Sequence, residues 1–542
     1  MSMDRRVTGA QARGEVVLIL AVGIYLVLLI RTAWQADDAY TAWRLVDNLV
    51  NGYGLRNNID ERVQTFTSTI WTMVNAGVYY FSRNIYYTSI ALSIVFSVLA
   101  VGIAGLPYRK DGLQIFFLAG AVTLSISFMD FSVGGFENPL SHLILASFAY
   151  VYFFRNENEH STFLGLFVLA ALAGLTRLDV LAYYFPALVL AFYCSSIPVR
   201  TKVLYAALGL SPLLLWHLFA LLYFGFPLQN AAYAKRFNGI PTTEFVRAGV
   251  DYYLNSVSRD PVTLVTAALA MGVGLTCRGN RKLQVFTIGI PFYLLYVLYI
   301  GGDYMSGRFF SVALFASTIV VLKSGVLTNT SVATGALACT FVLGALAVNP
   351  TYKTGKDYGI RRELSNTSEW VDKGIADERA SWYQHSGLLV ASRQRDMPRP
   401  LPEWDFKTAL TGFMKSMADG PCVGTVAPAG YFSFFAPRQC HIYDLNGQVD
   451  PLMARIPIRL DRNWRQGHLF RDPVPGYHET LLTGENRIVD PDLREYYEKL
   501  RLITRGEIWS WKRIKTIIRM NLGRYDHLLA AYAARNNITQ PQ

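Results

Sequence analysis

Two adjacent carboxylates, Asp37 and Asp38, follow the first long apolar run of the chain within a few residues. Ionised side chains so close to a membrane-length helix are costly and usually functional. One carboxylate could take a proton from an attacking hydroxyl, while the other orients sugar hydroxyls or holds a cation. The pair is the first candidate for a catalytic centre. The alternative is that the two residues only end the helix on its aqueous side.

Three cationic side chains, Arg177, Lys235 and Arg308, lie near the ends of other apolar runs. A buried cation at a helix end requires an anion, so these residues are candidates for binding the phosphate of a lipid-linked substrate. Each has a structural alternative. Arg177 can pair with Asp179, Arg308 can pair with Asp303, and Lys235 can be a solvated side chain of a long loop.

Two acidic positions also have two interpretations. Asp38 is the residue that we expect to hold a divalent cation, Mg²⁺ or Mn²⁺, if the reaction uses one. Glu137 lies two residues before Pro139, so it can either contact the substrate or cap the helix that this proline opens. The sequence has no CxxC or HExxH spacing, so neither of these metal-binding motifs is present.

The composition indicates a membrane protein with several spans. Of the 542 residues, 52% are hydrophobic and 17% are charged, whereas about 25% of the residues of a soluble domain are charged. Long apolar runs stop near residue 349, which predicts a transmembrane module over residues 1–348 and a soluble α/β domain over residues 349–542. The net charge of +12 does not indicate nucleic acid, because Lys and Arg are scattered rather than gathered in one stripe. It favours contacts with membrane lipids and lipid phosphates.

Twelve apolar runs are candidates for membrane-spanning helices. They fall near residues 15–30, 66–82, 86–106, 112–129, 139–154, 162–175, 180–196, 203–224, 261–276, 284–300, 309–327 and 331–348. The second run is rich in Thr, Ser, Tyr and Trp, as expected for a helix that lies on the membrane surface. We therefore predict about eleven spans, with interfacial helices at 66–82 and 40–50.

Basic residues predict the orientation of these spans. Arg5, Arg6 and Arg13 precede the first run, and no small-residue cleavage site follows it, which predicts a retained signal anchor with a cytoplasmic N-terminus. Basic loops with the same predicted location lie at residues 108–110, 198–202 and 278–282.

This orientation has a consequence for the candidate site. The first external loop (residues 32–85), the loop at residues 225–260 and the C-terminal domain should all be extracytoplasmic. The charged residues at helix ends should then face the same side of a plasma or inner membrane. We expect them to converge on a site for a substrate that is partly lipid.

The C-terminal part has a βαβ pattern. Residues 423–426 and 440–445 predict strands and residues 429–435 predict a helix between them, which indicates a small mixed sheet. Cys422 and Cys440 can form a disulfide if this part faces an oxidising compartment.

Several aromatic residues of this part could stack on a carbohydrate or could fill the domain core. They are Trp382, Trp404, Trp464, Tyr431 and Tyr477. His468 similarly could contact the substrate or make a structural hydrogen bond.

Short motifs run through nearly the whole chain in a characteristic order. They are DDAYTAWRLVDNLVNGYGLRNNIDERVQTFTSTIW at 37–71, GFENPL at 135–140, LTRLD at 175–179, PLQNAAYAK at 227–235, GGDYMSGRFF at 301–310, DLNGQVD at 444–450 and GH at 467–468. Together they resemble the motifs of polyprenyl-phosphate-sugar glycosyltransferases of the C superfamily (GT-C). They are most similar to those of the terminal arabinofuranosyltransferase family. Asp179, Gln64 and Leu469 depart from that family's pattern, which has acidic residues at the last two positions and usually Glu at the first.

The resemblance implies roles for particular residues. Asp37 and Asp38 would form the catalytic pair, and Lys235 and Arg308 would lie near the donor phosphate. Other residues of the matched motifs would contribute to substrate binding. They are Tyr40, Glu137, Arg177, Asn230, Tyr233, Asp303 and His468.

The sequence thus predicts a GT-C-like membrane enzyme. It would transfer a sugar, arabinofuranose or a related pentofuranose, from a polyprenyl-phosphate donor to an extracytoplasmic glycan or glycoconjugate, with an Asp as base. Two other functions stay open. One is a transporter or flippase of lipid-linked sugars, although neither related halves nor broken helices are visible. The other is a membrane protein that binds glycan without catalysis.

Overall fold

The computed structural model describes residues 2–236, 240–353, 371–391, 422–458 and 466–538. Most of these residues are helical, and the strands are short. The chain divides into two units. The first contains Met1–Ala36, Tyr86–Leu213 and Val246–Pro398, and the second contains Asp37–Ile85, Leu214–Phe245 and Arg399–Gln542. The predicted domain boundary at residue 348 therefore falls inside the first unit.

The first unit holds most of the apolar helices. Its helices are Ser2–Thr32, Ile85–Gly105, Gly112–Leu124, Ile126–Phe131, Asn138–Phe154, His160–Thr176, Leu181–Cys194, Thr242–Arg259, Pro261–Thr276, Arg281–Tyr299, Phe310–Ser324, Thr330–Leu346, Glu378–Ser386 and Leu388–Ala391, with most of Val199–Tyr223. A two-stranded antiparallel sheet joins Val371–Asp372 to Ile375–Ala376.

Four helical segments of the described residues are long and apolar enough to cross a membrane. They are Gly14–Thr32, Ile85–Tyr108, Val199–Tyr223 and Arg281–Tyr299. Six shorter apolar helices accompany them. The first segment coincides with the predicted anchor. The other three coincide with apolar runs that the sequence predicts to span the membrane. The predicted number of spans is larger than the number of helices that meet these criteria of length and composition.

Small residues bring helices of the first unit close together. A Cβ added at Gly289 would lie 2.6 Å from the carbonyl oxygen of Tyr183, and one at Gly249 would lie 2.4 Å from that of Leu298. Apolar side chains gain little from association in a lipid environment, so close backbone contact of this kind is a usual source of helix packing.

The second unit contains the acidic pair and the C-terminal residues. Its described elements are the helices Asp37–Val50, Thr69–Ser82, Asn230–Arg236, Gly430–Phe435, Tyr477–Thr483, Pro491–Arg505, Trp511–Asn521 and Asp526–Arg535, the strands Val423–Val426 and His441–Asp444, and the last part of Val199–Tyr223. Its main apolar core includes Tyr443, Tyr477, Leu493, Leu500 and Ile503.

The βαβ prediction for the C-terminal part is confirmed. Val423–Val426 and His441–Asp444 pair in parallel, with Val423 opposite His441 and Val426 opposite Asp444, and the helix Gly430–Phe435 connects them. Cys422 and Cys440, which directly precede the two strands, form a disulfide.

The two helices predicted in the first external loop are also present. Asp37–Val50 begins at the acidic pair, and Thr69–Ser82 begins three residues later than the apolar run at 66–82. The side chains of Trp43 and Trp71 bring the two helices together, with ring centroids 6.4 Å apart.

Candidate functional site

Asp37 is a buried carboxylate at the start of its helix. Its Oδ1 atom accepts a hydrogen bond from the backbone N–H of Tyr431, with an N–O distance of 2.6 Å. Burial raises the pKa of Asp37 to about 7, and the neighbouring Asp38 adds to the increase. Asp38 is only half-buried. The pair therefore combines a carboxyl group that exchanges its proton near neutral pH with a more exposed one.

Gly430 makes the space that the Asp37 carboxylate occupies. A Cβ at Gly430 would lie 2.1 Å from both carboxylate oxygens of Asp37. The φ angle of Gly430 is not among the positive ones, so the requirement for glycine comes from this close approach. Any side chain at this position must move the carboxylate.

Aromatic rings hold the start of the Asp37–Val50 helix against the helix Gly430–Phe435. The ring of Tyr40 lies 4.3 Å from that of Tyr431 and 5.2 Å from that of Phe434, measured between centroids. Tyr40 is therefore part of a buried aromatic cluster next to Asp37. A direct contact with a substrate, as the resemblance implies, stays a prediction.

Arg44 fixes the same helix one turn further on. Its guanidinium donates to the backbone carbonyls of Ser433, Ala436 and Cys440, and its Nε donates to that of Asn57 at 2.9 Å. The sequence motif includes Arg44, but sequence reasoning gave it no role. Its three partners in residues 433–440 are almost 400 positions away in the chain, so no local pattern could have identified them.

Four predicted site residues of the first unit form one ion-pair network. Arg177 contacts Glu137 at 3.0 Å and Asp179 at 2.8 Å, while Arg308 contacts both Glu137 and Asp303 at 3.4 Å. Both structural alternatives, Arg177 with Asp179 and Arg308 with Asp303, are thus present. Glu137 bridges the two arginines, which sequence reasoning did not foresee.

The two guanidinium groups of this network also lie over aromatic rings. Arg177 is 4.5 Å from the ring centroid of Phe309, and Arg308 is 4.2 Å from that of Phe136. Ring faces stabilise cations without neutralising them, so these ring contacts add to the contacts that the guanidinium groups make with carboxylates. The ion-pair distances of Arg308 are the longer ones, so this side chain is the better placed of the two to exchange a carboxylate for a phosphate.

Asn230 and Tyr233 of the second unit lie on the same short helix. The Asn230 side-chain amide donates to the carbonyls of Gly447, Gln448 and Asp450, and its oxygen accepts from Arg455 at 3.0 Å. Asn230 therefore holds the turn that carries the motif DLNGQVD.

Three more predicted residues of the second unit, Tyr233, Lys235 and His468, have partly buried side chains. Tyr233 packs its ring 5.5 Å from that of Phe226 and 4.6 Å from the guanidinium of Arg455. Lys235 lies on the helix Asn230–Arg236, and His468 lies outside the described helices. Their contacts with a substrate stay predictions.

A second charged cluster of this unit was missed by sequence reasoning. His441 contacts Asp60 at 3.1 Å and Glu61 at 3.6 Å, and Arg505 contacts the same two carboxylates at 2.9 Å and 3.6 Å. Burial lowers the pKa of His441, but Glu61 and Asp60 outweigh this effect and raise it above its ordinary value. Asp60 and Glu61 belong to the motif region, but nothing in the sequence pairs them with His441.

Whether Asp37 and Asp38 can hold a cation depends on the other ligands that the described side chains provide. Among them, no group of three or more His, Cys, Asp or Glu residues is arranged to hold a metal ion. One oxygen of Asp37 is already engaged by the Tyr431 N–H, and Asp38 would have to bind the ion with few other protein ligands. These residues do not form a protein-built cation cage.

The aromatic residues proposed for carbohydrate stacking divide between interior and partly buried positions. Tyr431 and Tyr477 are fully buried, so they fill the core. Trp382 is partly buried and donates its indole N–H to Glu378. Trp404 and Trp464 lie outside the described residues.

The fold and these clusters define a mostly helical protein with membrane-length helices and buried charged groups. Comparison with family models, curated proteins and solved structures finds no match to this chain. The function must therefore be argued from the residues themselves.

Proposed function

We propose that this protein is an integral-membrane glycosyltransferase that uses a polyprenyl-phosphate sugar as donor. The observation that carries the proposal is the environment of Asp37, a buried carboxylate with a pKa of about 7 beside a second carboxylate. A general base is most effective when its pKa is near the operating pH. Burial also raises the pKa of Asp450 in the same unit to about 7, so Asp37 is distinguished by the adjacent, half-buried Asp38.

The reaction would use the pair as follows. The hydroxyl oxygen of the acceptor attacks the anomeric carbon of the donor sugar, and the bond from that carbon to the phosphate oxygen breaks. The electron pair leaves with the polyprenyl phosphate, and the hydroxyl proton passes to Asp37. Asp38, which is more exposed, would orient hydroxyl groups of one of the sugars. The donor phosphate is a good leaving group, so no general acid is needed.

The ion-pair network of the first unit supplies cations that suit a lipid phosphate. Arg308 would exchange one of its 3.4 Å carboxylate contacts for a phosphate oxygen, while Arg177, with shorter contacts, positions Glu137. Lys235 is the third candidate for this role. The donor phosphodiester carries one negative charge and the polyprenyl phosphate that leaves carries up to two, so a cation that contacts the phosphate would stabilise the charge that develops.

Several further observations support an extracytoplasmic membrane enzyme. The Cys422–Cys440 disulfide is typical of an oxidising compartment, and membrane-length helices are present. We propose about eleven spans in total, with a cytoplasmic N-terminus. The sugar would be arabinofuranose or a related pentofuranose and the acceptor an extracytoplasmic glycan or glycoconjugate, as the motif resemblance implies.

The test is sugar transfer by the purified protein. A synthetic polyprenyl-phosphate donor with a labelled pentofuranose is incubated with an oligosaccharide acceptor, and the labelled product is separated from the donor. We expect turnover by the wild type and a loss of at least about 10²-fold in Asp37→Asn, since a positioned base contributes about 10² to 10⁴. Asp38→Asn should also reduce turnover, whereas Glu485→Gln, which changes an exposed carboxylate of the same unit, should not.

Two results would contradict the proposal. Unchanged turnover in both Asp37→Asn and Asp38→Asn would remove the proposed centre. Movement of intact donor across the membrane without any transfer would instead indicate a flippase.

A further inference from the structure

The helix Trp511–Asn521 presents an unusual exposed face. Its sequence, WKRIKTIIRMN, contains four basic residues and no acidic one. Trp511, Ile518 and Leu522, the residue directly after the helix, follow one another at intervals of seven and four positions, so they lie on one side of the helix. These residues point away from the protein, with exposed fractions of 64%, 52% and 69%, and the neighbouring Trp509 is 74% exposed.

Cations border this apolar stripe. Lys512, Lys515 and Arg519 are exposed, and the ammonium of Lys515 lies 5.3 Å from the ring centroid of Trp511. The opposite side of the helix is the one that packs against the protein. Its buried residues are Arg513, Thr516, Ile517 and Met520. The exposed Trp and aliphatic side chains are therefore not part of the core.

The same helix is attached to the end of a membrane-length helix. The guanidinium of Arg513 donates to the carbonyls of Leu222 and Tyr223, at 2.8 Å and 2.9 Å, which are the last two residues of Val199–Tyr223. At its other end, Asn521 donates to the carbonyl of Gly225 at 2.8 Å. All of these residues belong to the second unit, so the attachment lies within one unit.

The last turns of Val199–Tyr223 have an apolar exposed surface as well. Leu214, Leu215 and Leu218 are all more than half exposed. A membrane-spanning helix ends at the headgroup layer, so a second helix that is hydrogen-bonded to its final carbonyls lies at the same depth. Trp side chains and Lys or Arg side chains are the ones that concentrate there.

We propose that the helix Trp511–Asn521 lies in the headgroup layer of an anionic lipid bilayer. Trp509, Trp511, Ile518 and Leu522 reach the upper part of the acyl chains, and Lys512, Lys515 and Arg519 contact lipid phosphates. The opposite charges are complementary, since the helix carries only cations and the lipid surface carries anions. This surface does not depend on sugar transfer, so it can be correct or wrong independently of the proposed function.

The depth of the helix can be measured with a fluorophore in the full-length protein. The free cysteines Cys194, Cys277 and Cys339 are replaced by serine, and the Cys422–Cys440 disulfide is kept. A single cysteine is then introduced as Ile518→Cys or Leu522→Cys, labelled with bimane, and reconstituted into nanodiscs. A matched label at Glu485→Cys, where the Glu485 side chain is 74% exposed in the same unit, serves as the control.

Two quenchers separate the possible environments. Lipids with a nitroxide near the top of the acyl chain should quench positions 518 and 522 several-fold more than position 485, and aqueous iodide should show the opposite order. If iodide reaches 518 and 522 as well as 485, and the lipid quencher does not, the helix faces water and the proposal is wrong. Shielding from both quenchers would also overturn it, because a protein surface would then cover this face.

The contribution of the basic residues to lipid contact can be measured separately. In discs with an increasing fraction of anionic phosphatidylglycerol, lipid quenching at position 522 should increase. The triple variant Lys512→Gln, Lys515→Gln and Arg519→Gln should lose this increase. The variant Arg487→Gln with Lys499→Gln, which removes cations of the same unit outside the stripe, should keep it. An equal dependence in both variants would contradict the proposed contact with lipid phosphates.

Discussion

At the level of single residues, the environment of the Asp37 carboxylate determines the expected effects of substitutions and of pH. Asp37 accepts a hydrogen bond from the Tyr431 N–H, which lowers its pKa, but burial and the adjacent Asp38 raise it further, so the cost of burial is only partly compensated. Such a group is costly when ionised and inexpensive when protonated. Its chemistry and its effect on stability should therefore both change near neutral pH.

The substitution Gly430→Ala should reduce transfer strongly without preventing folding. The new Cβ would overlap with the Asp37 carboxylate, which must then leave its hydrogen bond with Tyr431. We expect turnover to fall by about 10²-fold, in the range for a displaced base. The matched control is Gly77→Ala, a helical glycine of the same unit with open space around it. Equal activity of the two variants would show that the position of Asp37 does not matter.

The substitution Asp37→Asn should remove activity and change how stability depends on pH. The pKa of Asp37 is raised in the folded protein, from 3.8 to about 7, so the folded state binds more protons than the unfolded state between these values. Its contribution to stability is therefore most favourable below about pH 4 and decreases as the pH rises towards 7. Asn keeps the acceptor oxygen and has no charge.

This difference can be measured by thermal unfolding in detergent. At pH 8 the Asn variant should unfold at the same temperature as the wild type or at a higher one. Its free energy of unfolding should be larger by up to a few kcal/mol, at about 1.4 kcal/mol for each pKa unit. At pH 5 this advantage should be less than half as large, and it should disappear only below about pH 4. A variant that is less stable than the wild type at pH 8 would mean that the carboxylate is held by a favourable partner.

Arginine contacts with carbonyl groups connect the secondary-structure elements of the second unit. Arg44 alone links the Asp37–Val50 helix to three carbonyls of residues 433–440. Arg513 does the same between the helix Trp511–Asn521 and the end of Val199–Tyr223. A planar guanidinium can satisfy several helix-end carbonyls at once, which a lysine cannot do.

The substitution Arg44→Lys should destabilise the second unit substantially. Lysine cannot reach several carbonyls in the same geometry, and buried carbonyls without donors each cost about 1 to 3 kcal/mol. We expect a total loss of about 3 kcal/mol or more in the free energy of unfolding, measured by denaturant titration. Arg438→Gln, which breaks a partly exposed ion pair with Asp47, should cost less than about 1 kcal/mol. Similar losses in both variants would argue against an anchoring role for Arg44.

The His441 cluster should make the contact between residues 58–61 and the strand His441–Asp444 sensitive to pH. The pKa of His441 is raised in the folded protein, so its contribution is fully present below about pH 6 and is lost as the pH rises through the raised value. His441→Gln should therefore be destabilising at pH 6 and much less so at pH 9. Thermal unfolding at both values measures this, with the exposed His527→Gln as control. A loss of stability that is independent of pH would indicate a neutral histidine.

Local patterns explain how much of these elements could be predicted. The alternation of residues in 423–426, the apolar spacing in 40–50 and the long apolar runs each depend on neighbours in sequence, and the corresponding strand and helices are present. The partners of Asp37, Arg44 and His441 depend on contacts between residues that are hundreds of positions apart. The residue types in the motifs predicted which segments carry important charged groups. They did not predict which of these groups contact one another.

At the level of the whole molecule, composition predicted a membrane protein better than it predicted the number of spans. Four helical segments of the described chain have the length and hydropathy to cross a bilayer, and six are apolar but shorter. Short connections divide the rest of the apolar sequence into helices of fewer than 18 residues, and hydropathy alone does not determine whether each of these crosses. The division into two units also groups residues 37–85 with the C-terminal part, which no composition boundary indicates.

The most direct test of the central claim is transfer by oriented protein in sealed vesicles. Wild-type protein and Asp37→Asn are reconstituted with labelled donor in the membrane, and the acceptor is added only on the side of the C-terminal residues. We expect covalent labelling of the acceptor by the wild type, with turnover that rises as the pH increases through about 7, and at least about 10²-fold less labelling by the variant. Equal labelling by both proteins, or donor that crosses the bilayer while the acceptor stays unlabelled, would contradict it.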